Sequence, residues 1–175
     1  MSEQPNVTPR VGPAPRTTSK LPHSQLDQQP EDSRYVDAIL AEAATWPFVQ
    51  EGPSEISVEG ARALTLDPDR ISGAAGAFLV QREFCHVHAQ GDFSLHANLP
   101  LALASAAERA GWAKPHYLVK TGQVPPTVVM LYAPRDDAER GVVLELVRAS
   151  YKFALDSSRE SPRDQTTTET TNANL

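Results

Sequence analysis

A chain of 175 residues has room for one ordinary domain, and 40% hydrophobic with 22% charged residues is a normal globular composition. The net charge of −6 and a pI near 5.3 leave no basic footprint, which argues against a nucleic-acid backbone or an anionic membrane surface as the main partner. One cysteine, Cys85, excludes an internal disulfide framework and a cysteine-rich zinc site.

Residues 1–30 carry six of the fifteen prolines among Ser, Thr, Gln and Asn, with few apolar side chains to offset ordering entropy, and read as a disordered arm. The start lacks the features of a secretory signal or a transit peptide, so the expected location is cytoplasmic. The longest apolar runs, 77–80 and 128–133, fall far short of the roughly 20 residues needed to span a bilayer. Residues 157–175 are polar and Thr-rich and read as a second disordered tail. The folded domain is thus expected over 31–156, which holds 11 Lys and Arg against 17 Asp and Glu and so carries the whole net charge.

Within it, Tyr35, Val36, Ile39, Leu40, Ala43 and Trp46 recur at helical spacing until Pro47. Short strands are expected over 56–58, 62–66 and 77–82, punctuated by Gly52-Pro53, Gly60, Asp67-Pro68 and Gly73. Two apolar-polar arms, 84–88 and 93–98, flank Ala89-Gln90-Gly91-Asp92 as a hairpin. Pro100 opens an Ala-rich helix that Gly111 closes. A β-branched strand follows over 127–132, and Asp136 to Glu139 form a capping-box-like entry to a last helix whose stripe is Val142, Val143, Leu146, Val147 and Ser150. The expected fold is α+β: a curved, mainly antiparallel sheet with about three helices packed on it, in one domain.

The chemistry gathers in the hairpin. His86, His88 and His96 lie within eleven residues, and the strand register decides whether they meet. If His88 pairs with Phe93, His96 turns away from the other two. If His86 pairs with His96, all three share a face with Ser94 and Asn98, while Cys85, Val87, Leu95 and Ala97 make a uniformly apolar opposite face. The second register is expected, with a five-residue connection over 89–93. Glu83 then points to the other face, Asp92 serves the turn, and Cys85 is a buried small hydrophobe.

Such a patch suits two chemistries. Three neutral imidazoles can hold one iron, zinc or copper ion with open positions, as in cupin-like sites. Without metal, the same rings can act as general bases and as donors to a developing oxyanion. The plainer alternative is a set of half-exposed strand histidines hydrogen-bonded to loops. His116 could enter the pocket from the loop behind the second helix, or be satisfied by backbone. Arg135 could clamp a substrate anion, or pair with Asp136 or Glu139. Tyr132 and Trp112 are candidates for substrate contact and equally for core packing.

Residues 82–154 resemble the luciferase-domain family, in particular the C-terminal half of the fungal luciferases. The resemblance rests on Glu83-x-x-His86-x-His88, Leu95-His96, Gly111-Trp112 with His116, Pro125-Pro126, Leu131-Tyr132-Ala133-Pro134-Arg135, Glu139 and Ala149-Ser150. It implies oxidation of an enolic or phenolic small molecule, a hydroxylated styryl-pyrone in the fungal proteins, by O2 with neither flavin nor NAD. His86, His88, His96, His116 and Arg135 are then the expected catalytic residues, with Ser94, Asn98, Trp112 and Tyr132 around the substrate. The rival expectations are a metal-dependent hydrolase, lyase or isomerase on the same histidine face, and a non-catalytic small-molecule-binding or interaction module. The expected cofactor is none or one metal ion on His86, His88 and His96.

Overall fold

A computed structural model describes residues 5–162 of the chain. Its centre is a six-stranded sheet in which every neighbouring pair is antiparallel, in the order β1 (Val49–Pro53), β2 (Arg62–Leu66), β4 (Glu83–Val87), β5 (Leu95–Asn98), β7 (Val128–Leu131) and β6 (Ala113–Pro115). The sheet is open, with β1 and β6 at its edges. A separate two-stranded pair joins β3 (Arg70–Ile71) to β8 (Arg159–Glu160). With three α-helices, this is the expected α+β domain. No helix among the described residues is long and apolar enough to cross a membrane.

The helices serve one face of the sheet. α1 (Arg34–Ala43) packs on α3 (Asp137–Ser157), and α3 lies across β4 and β5. Between them Val36, Ile39 and Leu40 meet Val143, Leu146, Val147 and Tyr151 over Leu64, Cys85, Val87, Leu95 and Ala97. Burying each large apolar side chain in such a layer stabilises by about 1.5–3 kcal/mol. Asp136 caps α3 as its sequence suggests, its carboxylate accepting from Glu139 N–H at 2.8 Å. α2 (Leu101–Arg109) ends in a Schellman turn. Gly111 takes φ +84°, Gly111 N–H donates to Glu108 O, and Trp112 N–H reaches back to Ala107 O at 2.9 Å. That turn aims the chain into β6.

Several element boundaries differ from the sequence expectation. α1 stops at Ala43, three residues before Trp46. Residues 56–58 are bends rather than a strand, and the edge strand β1 lies before them. Residues 75–77 form a 3-10 turn, so the strand expected over 77–82 begins only at Glu83. β6 is short enough to escape a periodicity reading.

The largest correction concerns the N-terminal arm. Residues 5–30 lie along the domain with side chains of Arg10, His23 and Gln25 buried. Thr8 O accepts from the Trp112 indole at 2.5 Å, Arg10 N–H donates to Ala110 O at 2.8 Å, and the Gln25 side-chain carbonyl accepts from Ala133 N–H at 2.9 Å. Polar contacts to a finished domain, not a hydrophobic stripe, hold this segment. At the other end α3 runs to Ser157 and β8 follows it. The rest of the expected tail, from residue 163, lies outside the described residues.

Candidate active site

The hairpin adopts the register that groups the histidines. His86 pairs with His96, Cys85 with Ala97 and Val87 with Leu95, while His88 N–H donates to Ser94 O at 3.0 Å to leave 89–93 as the connection. Apolar side chains on one face must be buried under α3, so the alternating polar ones are forced onto the other face. That second face is covered by irregular segments: the loop after β1, the 3-10 turn Ala75–Ala77, the loops around residues 116–126, and the N-terminal segment. Between sheet and loops lies a cavity of about 540 Å³.

All five histidines of the chain line this cavity: His23, His86, His88, His96 and His116. His96 is the hub. Its ring is stacked 5.5 Å from His23 and lies edge-on to His86, His88 and His116 at 5.1, 5.0 and 4.9 Å between centroids. The walls are apolar, with Ile56, Val58, Phe78, Leu118, Val124 and Val128 facing in. A cavity of this size with apolar walls and a few convergent polar groups is the usual form of a small-molecule site.

Glu83 belongs to this cluster, which corrects the expectation that it points away. The β2–β4 ladder shifts register between Leu64 and Thr65, so that Leu64 pairs with Cys85 and Thr65 with Glu83. Phe84 is the extra residue of a β-bulge. It joins the core beneath α3, where Ser150 Oγ donates to its carbonyl, and Glu83 is returned to the histidine face. There Glu83 Oε1 meets His86 Nδ1 at 2.7 Å and accepts from Ser54 Oγ at 2.9 Å, and Glu83 Oε2 accepts from Glu55 N–H at 3.1 Å. Asp92 does more than serve the turn. It accepts from Ser94 N–H and Oγ, from Gln25 N–H at 2.5 Å, and lies 3.1 Å from His88 Nδ1.

These contacts fix the tautomers. A carboxylate at Nδ1 makes His86 and His88 hold hydrogen there, leaving Nε2 of each as an acceptor. His86 Nε2 lies 3.0 Å from His96 Nδ1, which therefore donates. The chain Glu83–His86–His96 ends on His96 Nε2, a buried nitrogen with no hydrogen-bond partner among the described residues. Burial holds His96 well below the ordinary imidazole range, and the other histidines add to it. Burial also lowers His86 against the opposing pull of Glu83, lowers His116, and lowers His23 to about 4 with help from His116. Burial would raise Asp92, but hydrogen bonds from His88 and Ser94 hold it below its usual value.

Of the other expected site residues, Arg135, Tyr132 and Trp112 stand elsewhere. Arg135 does not line the histidine cavity. Its guanidinium pairs with Glu139 and donates to Val11 O at 2.9 Å and Gln28 Oε1 at 3.3 Å, so the ion-pair alternative describes it. Tyr132 is buried beside Arg10, and Trp112 is a core residue whose indole N–H is taken by Thr8. Ser94 sits on the histidine face 3.5 Å from His88 Nδ1, and Asn98 donates to Gly76 O at 3.0 Å. Cys85 is buried in the core, where burial raises its thiol pKa. His23, Glu83 and Asp92 are the site residues that sequence reasoning missed. For His23 the available signal was that a fifth histidine existed at all.

The motifs shared with known proteins converge on this same hairpin. Residues 81–150 match the Luciferase domain family. Three fungal proteins named luciferase are similar over 165 residues: those of Armillaria ostoyae, Armillaria gallica and Armillaria mellea, at 30, 29 and 28% identity. Each alignment covers 85% of this chain and 61% of the relative, so the chain spans about three fifths of the length of the luciferases it matches. No solved structure matches it significantly. The luciferase-domain match spans Glu83, His86, His88, Asp92, His96 and His116, whereas His23 lies before it.

Proposed function

We propose that the chain is a luciferase-domain enzyme that oxidises an enolic or phenolic small molecule with O2 in the histidine cavity. The observation that carries this reading is the unpartnered Nε2 of His96, buried on the cavity floor at the end of the Glu83–His86–His96 chain. A lone pair so placed accepts the proton of a substrate hydroxyl. The charge that arrives on His96 is then shared through His86 towards the Glu83 carboxylate. The resulting anion is electron-rich enough to give two electrons to O2. One C–O bond forms, O2 is reduced to the peroxide level, and the proton held on His96 returns to the peroxide. Apolar walls exclude water and hold a flat ring system against the imidazoles.

Support for the substrate class comes from the resemblance to luciferases together with the chemistry of the floor. The test is O2 uptake by the full chain against a panel of hydroxy-pyrones, catechols and cyclic enols. Uptake above the enzyme-free rate with one class supports the reading, and none with any member argues against it.

A second reading has its own observation. His86, His88 and His96 each offer a ring nitrogen within 4.8 Å of the others, and carboxylates stand behind the first two. His86 Nε2 and His96 Nδ1, 3.0 Å apart, are close to the roughly 3.3 Å edge expected of a tetrahedral zinc site, where a metal would displace the proton between them to His96 Nε2, and carboxylate-backed histidines are the usual outer shell of a metal. Metal content of wild type beside His86→Ala/His88→Ala, by mass spectrometry, separates the two. Near-stoichiometric metal lost in the double variant favours metal-assisted chemistry on the same face.

A further inference from the structure

His23 reaches the cavity on a small hairpin of the N-terminal segment. Thr17 and Gln25 pair across it, Thr18 N–H donates to Ser24 O at 2.9 Å, and Leu26 N–H to Arg16 O at 2.8 Å. Gln25 clamps the hairpin to the domain, its backbone N–H donating to Asp92 Oδ2 and its side-chain carbonyl accepting from Ala133 N–H. The His23 ring is thereby stacked on His96 and set edge-on to His116 at 5.0 Å.

The first backbone amides of the 3-10 helix Tyr117–Thr121 decide what these two rings can do. Tyr117 N–H donates to His23 Nδ1 at 3.4 Å and Leu118 N–H to His116 Nδ1 at 3.1 Å. A ring nitrogen that accepts an N–H carries no proton, so each neutral ring holds its hydrogen on Nε2. His23 and His116 are thus the reverse of His96, which offers a lone pair at Nε2. One ring nitrogen from each of the three, Nδ1 or Nε2, lies within 4.8 Å of the others. An oxygen about 2.9 Å from two donors bridges separations up to about 5.8 Å, so a single oxygen atom can serve this trio. Lys114, tied to Thr17 at 2.9 Å, adds positive potential at His23. The same tautomers disfavour a metal on this trio, because ligation through Nε2 needs the hydrogen on Nδ1.

We infer that His23 and His116 form an oxyanion-binding pair, each donating an Nε2–H to the phenolate or enolate oxygen of the ligand, so that the N-terminal hairpin supplies half of the anion site. The inference rests on the reading above for its ligand class.

The test is equilibrium binding to the full chain, at pH 8.5, of 4-nitrophenolate and of its neutral relative 4-nitroanisole. Wild type should bind both. His23→Phe should weaken nitrophenolate by roughly 10-fold or more, as expected for a lost hydrogen bond to a charged group, while leaving nitroanisole within about 2-fold, which also reports an intact cavity. His23→Gln, which restores an N–H, should recover much of the loss. Equal nitrophenolate affinity in wild type and His23→Phe overturns the pair while leaving the cavity reading standing. A wild type that binds neither compound overturns the small-molecule reading and the pair with it.

Discussion

His96 is informative because its two nitrogens face different surroundings. Nδ1 is committed to His86, and Nε2 is buried without a partner among the described residues. Leaving a buried polar atom unsatisfied costs about 1–3 kcal/mol, a cost that a site for a hydroxyl-bearing ligand would recover on binding. If His96 is the base, Glu83 acts at one remove, as a positioning residue. Glu83→Gln removes the charge that fixes the His86 tautomer and should lower turnover roughly 10- to 100-fold with little change in KM. An unchanged kcat would remove Glu83 from the chain. The grouping of His86, His88 and His96 was legible in the sequence, since only one register gives the hairpin a uniformly apolar face. Glu83 was not legible, because simple alternation places it with Cys85 and nothing in the letters marks Phe84 as a bulge. Arg135 was ambiguous in the sequence. Glu139, four residues on and one turn into α3, settled it.

At the scale of elements, regular structure was easier to read than its coverings. β7 and the caps of α2 and α3 follow from a β-branched run, Gly111 and Asp136, each a local signal with a local cause. The N-terminal segment has no such signal. It is held by Trp112, Ala133, Asp92 and Glu139, residues 65 or more positions away, so composition alone made it look unanchored. Gln25→Ala should show how firmly it is held. The substitution leaves the buried Ala133 N–H without its acceptor and should cost about 1–3 kcal/mol in urea denaturation. A change within error would mean that the segment contributes little to the fold. Where the loop after β3 passes the end of α3, a Cβ on Gly73 would lie 1.4 Å from Ser157 O. Gly73→Ala should therefore displace backbone and lower the melting temperature by several degrees, about 2–4 °C for each kcal/mol lost.

The whole molecule couples its stability to the state of its histidines. His23, His86, His96 and His116 all have values lowered in the folded state, chiefly by burial. Below about pH 6.5 the unfolded chain takes up protons that the folded chain refuses, so stability is complete above that pH and is lost as pH falls. Each such histidine adds to the loss until the pH reaches its own folded-state value, and for His23 the loss, about 1.4 kcal/mol per pH unit, continues down to about pH 4. The urea midpoint should drop steeply between pH 7 and pH 5, and less steeply in His23→Phe. A midpoint flat over that window would contradict the buried neutral cluster.

Whether His96 is the base is decided by O2 consumption of wild type and His96→Ala on the best enolic or phenolic substrate, with wild type and variant matched for folding by their melting curves. With His96 as the base, wild type takes up O2 steadily and the variant falls by about 10²- to 10⁴-fold, the usual contribution of a general base. Uptake that is equal in both, or equal to the enzyme-free rate in both, would contradict that role.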